Sequence, residues 1–116
     1  MGNPVSWGLQ PSIITDPGDA GAIPTTEGWG SCMLTTGGAE TRTLAIPQRQ
    51  GQRLTLGFDT DGGACVITVA AAVGPGTENT LTFEDAHDHI TLEAITVGGA
   101  LRWCVASNVG VTLSTV

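Results

Sequence analysis

Glu84-Asp85-Ala86-His87-Asp88-His89 gathers the densest set of groups in the chain that could do chemistry. Two histidines at i and i+2 share a face if the segment is a strand, and the flanking carboxylates could complete a metal shell. No fourth ligand is suggested elsewhere, and the segment falls in a loop between two strand-like runs, where Asp usually serves local turns. No metal and no cofactor are expected. Asp59-Thr60-Asp61-Gly62 opens like a calcium loop, but the loop's sixth position should be Gly and its twelfth a carboxylate. Those positions are Ala64 and Ala70, so the calcium reading fails.

Covalent catalysis fares no better. An activated Ser, Cys or Thr needs a base beside it, and His87 and His89 are the only histidines, with no nucleophile-elbow or Cys-His signature. Gly37-Gly38, Gly62-Gly63 and Gly98-Gly99 read as turn pairs, and none opens a helix that could cradle phosphate. Paired carboxylates could serve a glycosidase, but aromatic residues for a sugar platform are few. The expectation is a protein that is not an enzyme.

Charge narrows the partners. Eleven acidic residues face four arginines, giving a net charge of −7. Arg42, Arg49, Arg53 and Arg102 are too few and too scattered for the basic stripe that nucleic acid requires. Anionic lipid is disfavoured for the same reason, and no apolar run approaches the roughly 20 residues that span a bilayer. Cys32, Cys65 and Cys104 cannot all pair within one chain, and no secretory leader opens the sequence. Synthesis in a reducing cytoplasm is expected, with the cysteines serving as small core residues. At 116 residues the chain makes one modest domain without staples, for which association is the remaining support.

The elements that must position any site are strands. Gly and Thr are abundant and long helix formers scarce. Arg53 to Asp59 alternates with Leu54, Leu56 and Phe58 on one face, and Ala64 to Ala72 is nearly continuous, as a strand covered on both faces would be. Asp61-Gly62-Gly63 between them predicts a tight hairpin. His89 to Val97 alternates, Gly98-Gly99 turns it, and Leu101, Trp103 and Val105 return. Further strands are expected at about 41–46, 79–83 and 111–115, with at most a helical turn at 84–87. The two Gly-Gly units lie some 36 residues apart, but nothing else matches at that offset, so no solenoid period is read. The expected fold is all-β: a compact sandwich or barrel-like domain of about six to eight short antiparallel strands spanning 31–116.

Residues 1–30 differ. Pro4, Pro11, Pro17 and Pro24 are nearly evenly spaced, which bars a helix and disfavours a central strand. Yet Val5, Trp7, Leu9, Ile13, Ile14, Ile23 and Trp29 are apolar. Such a segment cannot bury itself. It packs across its own domain or docks on a partner, and docking is the reading preferred: an extended arm using Val5, Trp7, Leu9, Ile13, Ile14, Pro17, Ile23, Pro24 and Trp29.

Several phrases carry a family resemblance. They are Ile14-Thr15-Asp16-Pro17-Gly18-Asp19-Ala20-Gly21-Ala22-Ile23-Pro24, Thr36-Gly37-Gly38-Ala39-Glu40-Thr41-Arg42-Thr43-Leu44, Thr60-Asp61-Gly62-Gly63-Ala64-Cys65-Val66-Ile67-Thr68-Val69-Ala70, Asn79-Thr80-Leu81-Thr82-Phe83-Glu84-Asp85-Ala86 and Gly99-Ala100-Leu101-Arg102-Trp103. Together they resemble small proteins of tailed-bacteriophage structural clusters, similar to capsid decoration (cement) proteins. The resemblance implies a β-rich homotrimer on the virion surface that bridges major capsid protein subunits and stabilises the shell, often with an N-terminal arm. Alternatives are a receptor- or glycan-binding module of a virion surface or tail fibre, and a head–tail or tail-tube component.

Overall fold

Period-two alternation turns one face of each strand inward. A computed structural model describes residues 11–74 and 76–115 of the protein, with ten strands and no helix among them. The strands are β1 (Ser12–Ile14), β2 (Gly21–Ile23), β3 (Trp29–Thr35), β4 (Glu40–Leu44), β5 (Arg53–Thr60), β6 (Cys65–Val69), β7 (Thr80–Phe83), β8 (His89–Val97), β9 (Ala100–Val109) and β10 (Thr112–Ser114). They form two five-stranded sheets, ordered β1-β3-β5-β8-β9 and β2-β4-β6-β7-β10. The sheets share one core, to which Leu54, Leu56 and Phe58 contribute from the first and Ile67, Leu81 and Phe83 from the second. Phe58 meets Phe83 edge to face across the gap, ring centres 6.1 Å apart.

The connections define the architecture. β1, β3 and β5 run parallel, as do β2, β4 and β6. Each of β1, β3 and β5 therefore crosses to the second sheet through an arch, all three at the same end. β7–β8 crosses at that end too, but from the second sheet to the first, because β7 and β8 pair antiparallel with β6 and β5; β9–β10 crosses there in the original direction. The molecule is a stack of five arched layers.

This corrects the expected six to eight antiparallel strands. It also corrects the hairpin at Asp61-Gly62-Gly63, since β5 and β6 lie in different sheets. The glycines are needed for close approach: a side chain on Gly62 would collide with the Thr36 carbonyl, and one on Gly63 with the Gly38 backbone. The buried Thr36 hydroxyl donates to the Gly63 carbonyl at 2.7 Å and accepts from the Gly62 N–H at 3.0 Å, seating the third arch on the second. The Gly98-Gly99 hairpin is present as predicted, both residues at positive φ.

Three parallel layers make a short solenoid that the sequence hides, because its step varies. Ser12 pairs with Gly30 and Gly30 with Leu54, steps of 18 and 24; Gly21 pairs with Arg42 and Arg42 with Ile67, steps of 21 and 25. β6 is covered on one face only: Cys65, Ile67 and Val69 are buried while Thr68 is exposed.

The expected arm is redrawn over its described part. Ile14 and Ile23 lie in the protein's own core, and β1 and β2 are its outermost strands. Prolines 17 and 24 fall just outside these strands, where they interrupt no ladder. Val5, Trp7 and Leu9 lie outside the described residues.

A buried cation locks the first layer down. Arg42 points inward with its side chain fully buried. Its Nε and one terminal nitrogen donate to the two Asp16 carboxylate oxygens at 2.8 and 2.9 Å, and the other terminal nitrogen lies 3.0 Å from Glu40. The Thr35 and Thr41 carbonyls accept the rest. Burial pushes the Asp16 carboxyl up, but the Arg42 hydrogen bond, the Thr35 and Gly18 N–H groups and the guanidinium charge outweigh it and hold it at about 2, against an ordinary 3.8. At the far end the buried Gln52 holds the Thr25 and Glu27 carbonyls, and Trp103 donates to the Ala45 carbonyl.

Arg42→Ala leaves the part-buried Asp16 and Glu40 carboxylates without their cation and should cost about 3 kcal/mol in urea unfolding. Because the Asp16 pKa is depressed, its contribution is full above about pH 4 and lost as pH falls through about 2, on the order of 2 kcal/mol. Asp16→Asn should remove that part of the acid sensitivity, measured as the urea midpoint against pH. Equal slopes for variant and wild type over that window would contradict the assignment.

Candidate interaction surface

The acidic loop comes first, because the sequence singled it out. Asp88 accepts from the Glu84 and Asp85 N–H groups at 3.3 and 3.1 Å, closing the fourth arch, and backbone bonds between Phe58 and residues 87 and 88 seat it on the third. His87 takes a positive φ of 77° in the turn, so only His89 stands on a strand. Its Nδ1 lies 2.9 Å from the His87 carbonyl. The two rings therefore do not share a strand face, and among the described residues no three His, Cys, Asp or Glu are grouped to hold a metal.

The thiols are placed by packing. Cys32 and Cys65 are fully buried between the sheets, and burial first, with the Asp16 charge adding to it, raises each to about 11. Cys104 is half-buried, its sulfur lying over Gly74.

Several large apolar side chains remain exposed. On the outer side of the first layer, β1 and β2 each have a strand on one side only among the described residues. Ile13, 93% exposed, and Pro24 line one groove there of about 290 Å³, together with Thr15, Thr26 and Glu27. Trp29 begins the adjacent strand and is 42% exposed. Of the arm residues within the described part, Ile13, Pro17, Pro24 and Trp29 thus reach solvent, while Ile14 and Ile23 do not.

Two surfaces were missed from the sequence. One is the far end of the β8–β9 hairpin. β5 pairs with β8 only as far as Glu93, whereas β8 and β9 pair out to Val97 and Ala100. Four residues at about 3.4 Å each carry the hairpin roughly 13 Å past the last β5 pair. Ile95 and Val97 there are 43% and 36% exposed. The signal was available: β8 and β9 read as longer than their neighbours, with no charge from Ile95 to Leu101.

The other is the outer face of the second sheet. One row across it reads Ala22, Thr43, Thr68, Thr80, Ser114, and the next Thr41, Val66, Thr82, Thr112. None is charged, on a chain carrying −7. A recess of about 350 Å³ opens on this face between Ala22, Thr43, Ala45, Thr68 and Ala70, floored by Ile23 and Leu44. Sequence alternation showed threonines outward on single strands, but only the pairing register assembles them.

Thiol accessibility follows directly. Iodoacetamide on the native protein should label Cys104 alone, with Cys32 and Cys65 reacting only after unfolding. Native labelling of either buried thiol would contradict the packing. No protein-family model matches this chain, and no curated protein matches it in sequence.

Proposed function

We propose that the protein is a capsid decoration protein, without catalytic activity, that binds the outer surface of a tailed-phage head as a homotrimer and stabilises it by bridging major capsid protein subunits. The sequence phrases from Ile14 to Trp103 support the family reading. The observation that carries the binding surface is the open first layer. Ile13, Pro24 and Trp29 stay solvent-exposed on a rim whose strand edges have no partner among the described residues. An exposed edge with adjoining apolar side chains suits strand addition by, or onto, a neighbouring subunit. Trp is also the residue type most often found as an interface anchor.

The docking element is accordingly narrower than residues 1–30. Residues from Ser12 onward supply two strands, two core isoleucines and the Asp16 partner of Arg42. Removing them would unfold the domain rather than test binding. The contribution of the arm is separable only by truncation before residue 11.

An acidic exterior keeps a dense surface array soluble. Each contact can be weak, because bridging copies act multivalently.

The test uses expanded heads lacking the protein. Wild type should co-sediment saturably with them. Ile13→Asp combined with Trp29→Ala removes two apolar anchors worth about 1.5–3 kcal/mol each if fully buried. Head affinity should then fall by roughly tenfold or more while the melting temperature holds. Retention of the double variant at wild-type affinity, or no saturable binding by wild type, would overturn the reading.

A further inference from the structure

We propose that the tip of the β8–β9 hairpin of one copy seats in the recess on the second sheet of the next copy, so that copies join head to tail into a closed ring. This rests on the oligomer proposed above and names the contact that builds it.

Charge is the first argument. Two chains at −7 repel, and like charges set face to face cost several kcal/mol. The hairpin tip from Ile95 to Leu101 and the recess with its surrounding threonine rows are both free of charge. The nearest cation on the hairpin, Arg102, is turned aside: its guanidinium donates to the Ala72 and Gly76 carbonyls.

Size is the second. Ile95 and Val97 are two residues apart and share a face of the hairpin. At roughly 30 Å³ per heavy atom, the share of a water in the liquid, their seven side-chain carbons need about 200 Å³. The recess offers about 350 Å³ lined almost wholly by aliphatic and threonine carbon. The two side chains fit within that volume.

Placement is the third. Tip and recess both lie toward the end of the stack away from the arches, since Ala45 and Ala70 follow the ends of β4 and β6. Yet one belongs to the first sheet and the other to the second. Two different patches that fit one another make a heterologous contact, which closes into a ring when the rotation allows. Each chain then gives one tip and receives one. Ile13 and Trp29 do not line the recess.

The test measures mass by light scattering in the absence of any head. Wild type should run as a closed multiple of the 11.8 kDa chain. Val97→Asp and Thr68→Asp, both at exposed positions, should each drop the mass to that of one chain with an unchanged melting curve. Val97→Lys combined with Thr68→Asp should restore the multiple. A wild-type monomer at tens of micromolar, or a multiple untouched by both single changes, would overturn the contact. Head binding separates the two proposals: heads retaining a monomeric Val97→Asp chain reject only the ring contact, and a ring with no affinity for heads rejects only the decoration reading.

Discussion

A guanidinium without water needs every one of its donors answered, and in this protein the answers come from two different layers. Arg42 sits on β4, Asp16 in the arch between β1 and β2, and the Thr35 carbonyl at the end of β3. The first layer has only two three-residue strands to hold it. Its backbone bonds alone would permit slippage along the neighbouring strands. A bidentate ion pair has one geometry, so it fixes the layer's register as well as its presence. A pair of this kind adds little net stability over an apolar replacement, and its contribution here is specificity.

The same logic recurs upward through the stack. Polar groups recur at the arches: the Thr36 hydroxyl binds the Gly62-Gly63 backbone, the Phe58 backbone binds that of residues 87 and 88, and Asn108 closes its own turn onto Val111. Gly110 is held at positive φ against the Asp88 carboxylate, where a side chain would collide. Layers of this sort contact only their neighbours, so the ends of the stack decide what can be added. One end carries β9 and β10 as its edge strands, with Gly74 bridged to Cys104. At the other end β1 and β2 are the edge strands among the described residues.

Surface chemistry is divided along the same lines. Charged residues such as Arg53, Glu93 and Asp59 stand on the outer face of the first sheet, while the second sheet presents threonine, alanine and valine. If copies of this acidic protein pack side by side, as proposed, a neutral face spares them like-charge repulsion. A single small domain can in this way offer a rim to one partner and a face to another.

Strand identity was legible in the chain itself. The alternation at Leu54, Leu56 and Phe58, the return of Leu101, Trp103 and Val105, and the positive-φ turn at Gly98-Gly99 are local effects, and the structure keeps them. β3 was hidden because its inward positions include Gly30 and Cys32. Gly30 is small because the Ile14 side chain fills its place, a fact that belongs to another layer. Gly62-Gly63 looked like a hairpin for a related reason: glycine permits both a tight reversal and a close backbone approach, and only the neighbouring Thr36 shows which is used. Proline correctly barred helix from residues 11–30, but it did not bar edge strands, and the isoleucines there found their own core. Local propensity thus set what each segment could be. Which sheet it joined, which layer it rested on and which apolar residues stayed outside were decided by contacts between residues far apart along the chain, 18 to 25 apart in the parallel layers and up to 40 apart between β5 and β8, at intervals too uneven for the sequence to repeat.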